Sequence, residues 1–147
     1  MDIFFYAPRG EFGFLSNFWP QPISVDGRVW GTSEHYFQAM KSPDAERQGY
    51  INCLRTPFEA KMAGKETRLR VDWEEVKEFY MLKALRAKFL LPNMRKKLLM
   101  TTSHELHEDS PGSPSGLYWG FVGGRGKDRL GKLLMQVRGE IEEIGGL

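Results

Sequence analysis

Helix starts follow one another along this chain from Thr32 onward, and no other feature limits its fold so tightly. A helix leaves its first backbone N–H groups unpaired, so starts are marked by side chains that accept from them or by a proline that lacks one. Thr32 is such an acceptor and predicts a helix over residues 33–41, with Glu34 in the first turn where the dipole favours it. Ser42-Pro43 reads as a second cap followed by proline at the first helical position. Thr56-Pro57-Phe58-Glu59 combines a capping box with that proline, and Gly64 is the expected stop. Asp72-Trp73-Glu74-Glu75 opens the longest helix, to about Leu90, and Pro92 starts a short one ending near Thr101. The last begins near Asp128, with Leu130, Leu133, Leu134, Val137, Ile141 and Ile144 on one face.

The first 31 residues read differently. Ile3-Phe4-Phe5-Tyr6 is a compact apolar run, and residues 22–30 read as a hairpin because Asp26-Gly27 supplies the positive φ angles of a tight turn. Between them, residues 10–20 form a loop whose aromatics need a core or a pocket. Residues 103–127 carry too many Gly, Pro and Ser for regular structure. The expected fold is mainly α with a small antiparallel β element near the N-terminus. At 147 residues it is expected to be a single compact domain, 1–147.

Composition narrows the function. Lys plus Arg number 21 against 19 for Asp plus Glu, a net charge of +2 that falls well short of a surface built for phosphate backbones. Cys53 is the only cysteine, so no internal disulfide forms, and packing is a better reading for it than nucleophilic chemistry. The N-terminus starts with an acid and breaks at Pro8, unlike a secretory leader, and no run reaches the ~18 apolar residues of a membrane span. A cytoplasmic location is expected.

Candidate chemistry concentrates in two stretches. On the helix after Thr32, Glu34, Gln38 and Lys41 fall on one stripe at i, i+4 and i+7. Two readings stand: a solvated polar face, or a carboxylate, an amide and an amine lining a cleft. In the second, a carboxylate walled by aromatics gains a raised pKa suited to proton transfer, and a desolvated lysine becomes a nucleophile toward carbonyl carbon. The other stretch is Tyr118-Trp119-Gly120-Phe121-Val122-Gly123-Gly124-Arg125-Gly126-Lys127-Asp128-Arg129-Leu130-Gly131. Its glycines before a helix, with Arg125 and Lys127, suit an anion or a plain flexible turn. Residues 126–132 match the spacing of a P-loop, but Leu133 replaces the magnesium-binding hydroxyl, so a nucleotide triphosphatase is rejected. His104-Glu105-Leu106-His107-Glu108 lacks the zincin order, and no metal and no cofactor is expected. Trp73 and Trp119 suit either a core or a stack on a planar ring.

Four blocks in this order carry a resemblance. They are Phe14-Leu15-Ser16-Asn17-Phe18; Trp30-x-Thr32-Ser33-Glu34-His35-Tyr36-Phe37-Gln38-Ala39-x-Lys41; Met81-x-x-Ala84-Leu85-Arg86-Ala87-Lys88-Phe89; and Tyr118-Trp119-Gly120 followed by Gly126-Lys127-x-Arg129-Leu130-Gly131-x-Leu133-Leu134-Met135. Together they resemble the NADAR (YbiA-like) family over nearly the whole chain. The resemblance implies a mostly helical domain with N-glycosidase activity on phosphorylated ribosylamines, either riboflavin-pathway intermediates or ADP-ribosylated guanine, free or in nucleic acid. It implies Glu34 as the acid–base carboxylate and Lys41 as an imine-forming amine or a positive charge. Asn17 would hold sugar hydroxyls or phosphate, Trp73 and Trp119 would sandwich the base, and the loop around Arg125 and Lys127 would hold phosphate, with Gln38, Gly120 and Asp128 as further substrate-binding residues. Relatives often carry an aspartate on each side of Tyr-Trp-Gly; here stand the 114–117 run and Phe121, which leaves Asp128 or Asp109 to substitute. That departure supports a competing expectation, a module that binds ADP-ribose or an NAD-like ligand without turnover. A third, nucleic-acid binding, has only Lys83, Arg86, Lys88, Arg95, Lys96 and Lys97 behind it.

Overall fold

The computed structural model describes residues 1–110 and 116–145. The elements follow in the order β1 (Asp2–Phe5), a 3-10 turn (Gly13–Leu15), β2 (Ile23–Val25), β3 (Arg28–Trp30), α1 (Ser33–Ala39), α2 (Ala45–Asn52), α3 (Pro57–Glu66), α4 (Trp73–Phe89), α5 (Pro92–Leu99), β4 (Glu105–Glu108), α6 (Gly116–Trp119) and α7 (Arg129–Gly145). The chain is mostly helical, with the expected antiparallel pair β2·β3 near its start, in register Ile23↔Trp30 and Val25↔Arg28. It divides into two units, Pro20–Lys88 and Met1–Trp19 together with the chain from Phe89 onward.

In the Pro20–Lys88 unit the caps work as their chemistry requires. The Thr32 hydroxyl accepts from the His35 N–H and starts α1. Thr56 and Glu59 form the full capping box of α3 behind Pro57. Several expectations are corrected, the first being the end of α1, which stops at Ala39 and leaves Lys41 outside the helix. The cap of α2 is Asp44, not Ser42, and Pro43 lies ahead of the helix; the Ser42 hydroxyl accepts instead from the Asp44 N–H. Gly64 does not end α3, which runs on to Glu66. A Cβ at Gly64 would overlap the Gln38 side chain, so the glycine is there to let α3 approach α1 closely. Asn52 joins α2 to β3 by accepting from the Gly31 N–H and donating to the Val29 carbonyl. Cys53, expected in packing, is exposed at the C-cap of α2.

The other unit rests on a pairing no local pattern announces. β1 and β4 run parallel, Asp2 beside Glu105 and Phe4 beside His107. Residues 103–127 therefore do contain regular structure, β4 and α6, while Pro114 and Ser115 lie outside the described residues. Ile3, Phe5 and Leu106 are buried together with the apolar face of α7, namely Leu130, Leu133, Leu134, Val137 and Ile141. Ile144, expected on that face, is exposed. Gly131 lets α7 pass over β4, since a Cβ there would overlap the Leu106 carbonyl oxygen. The glycine of the P-loop-like spacing is thus a packing glycine.

Candidate active site

Every residue from Thr32 to Met40 is buried, so the α1 stripe is not a solvated face. Glu34 is 7% exposed, and its Oε2 accepts from Gln38 Nε2 at 2.6 Å. Burial raises the Glu34 pKa; the Gln38 hydrogen bond and the ammonium groups of Lys61 and Lys41 only partly oppose that rise. Lys41, just beyond α1 and half-buried, has its pKa lowered by burial, with the Glu34 carboxylate opposing and Lys61 and Lys65 adding to the fall. The outcome is a carboxylate that keeps its proton longer and an amine that loses its proton sooner than either would in water. Lys61 and Lys65, one turn apart on α3, were not among the expected site residues. Their spacing placed them on one helix face, but only the packing of α3 on α1 turns that face toward Glu34.

The aromatic and basic surroundings explain how the stripe is held. Trp73 is buried, its ring 5.2 Å from Phe37 and stacked at 6.4 Å on Tyr80. Arg70, lying over the Tyr80 ring, donates to the Met40 carbonyl at 2.7 Å, and its own N–H donates to the Lys41 carbonyl at 2.7 Å. These bonds occupy carbonyls that the end of α1 would otherwise leave bare. His35 is pinned at both nitrogens, Nδ1 against the Thr32 hydroxyl at 2.8 Å and Nε2 donating to the Leu54 carbonyl at 2.9 Å. It fixes the start of α1 and has no nitrogen left for chemistry.

The remaining expected residues lie in the other unit. Asn17 is buried just after the 3-10 turn. Trp119 ends α6 half-buried, its ring edge-on to Tyr118 at 4.9 Å. The N–H of Gly120 donates to the Gly116 carbonyl and its carbonyl accepts from the Asp128 N–H. Val122 and Arg125 exchange both backbone hydrogen bonds around Gly123-Gly124, whose φ angles of +59° and +78° make a tight hairpin turn. Arg125 and Lys127 are exposed on this hairpin, and the Lys127 ammonium lies over the Tyr118 ring at 5.4 Å. Asp128, buried and with a left-handed φ of +56°, places Oδ2 2.6 Å from His107 Nδ1. Phe121 packs its ring 5.4 Å from His107.

Comparison with known proteins gives this arrangement its context. The model of the NADAR domain matches residues 4–142. The chain belongs to the NADAR family. It is 43% identical over 141 residues to N-glycosidase YbiA of Escherichia coli, covering 93% of this chain and 86% of that one. An N-glycosidase of Nostoc punctiforme is 39% identical over 98% of this chain and 95% of its own. A riboflavin biosynthesis protein of Vibrio vulnificus is 37% identical over 96% of this chain, which spans only 39% of that longer protein. The solution structure of E. coli YbiA superposes with a TM-score of 0.87 at 41% identity, covering 99% of this chain and 89% of that one. The NADAR fold is therefore the one this sequence adopts.

Proposed function

We propose that this NADAR protein hydrolyses the bond between ribose C1 and an exocyclic nitrogen in a phosphorylated ribosylamine. That it is an N-glycosidase follows from its family and from the names its relatives carry; the phosphorylated ribosylamine is the finer reading. One observation supports that reading most: a buried carboxylate with raised pKa, hydrogen-bonded to Gln38 and coupled by charge to an amine of lowered pKa seven residues on.

Breaking the C1–N bond builds positive charge on the sugar and negative charge on the leaving nitrogen. Glu34, its pKa raised by burial, gives its proton to that nitrogen as the bond breaks. Water then adds to C1 and returns a proton to the carboxylate. Lys41 has two roles open to it. As a neutral amine its Nζ can attack C1 of the opened sugar, expel the nitrogen as free amine and leave an imine that water hydrolyses. As an ammonium it steadies phosphate or developing negative charge. Asn17, Trp73, Trp119, Gly120, Arg125, Lys127 and Asp128 enter as substrate-binding residues on the family resemblance, and a raised KM on single substitution is their test.

The deciding experiment supplies phosphoribosylaminopyrimidine intermediates and ADP-ribosylated guanine to the protein and to Glu34→Gln. Release of ribose phosphate or ADP-ribose by the wild type, with a drop of about 10²–10⁴ in the variant, is the expected result. Release no faster than the variant's would remove the reading. Borohydride trapping separates the lysine roles: an adduct lost in Lys41→Ala marks the imine, and no adduct leaves Lys41 electrostatic. Phe121 in place of an aspartate favours one second reading, a module that binds ADP-ribose or an NAD-like ligand without cleaving it. Calorimetric binding with the ligand recovered intact would establish that instead.

A further inference from the structure

The most unusual polar atom outside α1 is Nε2 of His107. The residue is 6% exposed, yet this nitrogen has no hydrogen-bond partner. Leaving a buried ring nitrogen bare is costly, and such atoms are uncommon in folded proteins. The ring cannot turn away to water. Phe4 lies 4.9 Å from it and Phe121 5.4 Å, while the other nitrogen is held by Asp128 Oδ2 at 2.6 Å. A carboxylate on Nδ1 orients the ring and turns Nε2 toward a ligand, the second-shell arrangement that metal-ligating histidines use.

What Nε2 faces is set by the β1·β4 register. Alternation puts Asp2, Phe4, Glu105 and His107 on one face of the pair, and the parallel register sets Asp2 directly beside Glu105. Asp2 Oδ2 lies 3.6 Å from Nε2, and one ligand atom from each of Asp2, Glu105 and His107 falls within 4.8 Å of the others. Ligand atoms around a four-coordinate ion with bonds of ~2.0–2.2 Å stand about 3.5 Å apart, a closure that two exposed carboxylates reach by small rotations.

We propose that Asp2, Glu105 and His107 form a binding site for one divalent transition-metal ion, Zn²⁺ being the best fit, with Asp128 as the positioning carboxylate behind the histidine. One imidazole and two carboxylates make a mixed N/O set that suits Zn²⁺, Co²⁺ or Mn²⁺ and is too poor in oxygens for Ca²⁺. The ion clamps β1 to β4. This departs from the sequence expectation of no metal, which considered His104 and His107 together; the structure pairs His107 with Asp2 instead.

The test uses tag-free protein, stripped with chelator and titrated with Zn²⁺ by calorimetry and with Co²⁺ by visible absorption. One ion per chain is expected, with a rise in the thermal midpoint. Asp2→Asn and Glu105→Gln, both at exposed positions, should each weaken binding about tenfold or more and abolish the midpoint shift. His107→Gln should do the same, and His104→Gln should leave binding at the wild-type level. Absence of saturable binding in the wild type overturns the proposal. So does binding that survives both Asp2→Asn and Glu105→Gln, or that His104→Gln removes. None of these outcomes depends on glycosidase activity.

Discussion

The Glu34–Gln38 contact gives a prediction at the scale of single residues. Burial raises the Glu34 pKa and the Gln38 hydrogen bond lowers it, so removing the amide lets the pKa rise further. If Glu34 donates its proton in the bond-breaking step, kcat/KM falls as pH rises through its pKa in the free enzyme. Gln38→Met should therefore move that alkaline limb to higher pH, read from a full pH–rate profile. A limb that stays put would show that another group supplies the proton. His35 shows the opposite use of the same helix: burial lowers its pKa, and both nitrogens are spent on holding the backbone.

Two glycines gain their meaning from helices rather than from turns. A methyl group at Gly64 meets Gln38, a side chain that can move, whereas at Gly131 it meets the Leu106 backbone carbonyl, which cannot. Gly64→Ala should cost about 1–3 kcal/mol and lower activity by pushing Gln38 off Glu34. Chemical denaturation and kcat/KM measured on the same preparation check both halves. Within α7, Gly131→Ala should be the more damaging change. Gly139, in the same helix with nothing within 4 Å of its Cβ position, should respond the other way. Gly139→Ala is expected to stabilise by about 0.5–1 kcal/mol, because alanine loses less backbone freedom on folding. Equal midpoints for the two α7 variants would contradict this account of the packing.

On the whole-molecule scale, the proton balance of folding turns on Lys88. It is fully buried, and desolvation brings its pKa from 10.5 to about 7. Between about pH 7 and 10.5 the unfolded chain therefore binds the proton that the folded chain has released, so stability rises with pH across this window. Below pH 7 both states are protonated and the charge stays buried, a constant penalty. The slope from one such group is at most about 1.4 kcal/mol per pH unit. Lys41, also lowered, adds to it with the same sign. Urea midpoints from pH 6 to 10 should climb for the wild type, and Lys88→Met should flatten most of the climb. A flat wild-type profile would mean that Lys88 keeps its charge in the fold. No helix among the described residues is long and apolar enough to cross a membrane, and the net charge of +2 suits a few placed cations rather than a basic surface.

Local chemistry was enough to write most of this architecture into the sequence. Caps at Thr32 and Thr56, prolines at 57 and 92 and the Asp26-Gly27 turn act over a few residues, and each produced its element. The 3.6-residue period likewise put Glu34 and Gln38 on one side of α1, with Lys41 just past its end. Signals failed where a residue's role depends on a neighbour distant in sequence. Gly64 carried the local mark of a stop and became a contact surface for Gln38, and Ser42-Pro43 yielded the cap to Asp44. The aromatic share of 13% allowed a core or a pocket wall without choosing, and burial placed Trp73 against Phe37 and Tyr80. Whether Glu34 is solvated or buried, whether Lys88 is wet or dry, and which carboxylates His107 meets were decided only by tertiary structure. The physical reason is the same in each case. Periodicity and capping are properties of a short stretch of chain, while desolvation and the pairing of β1 with β4 are properties of what packs around it.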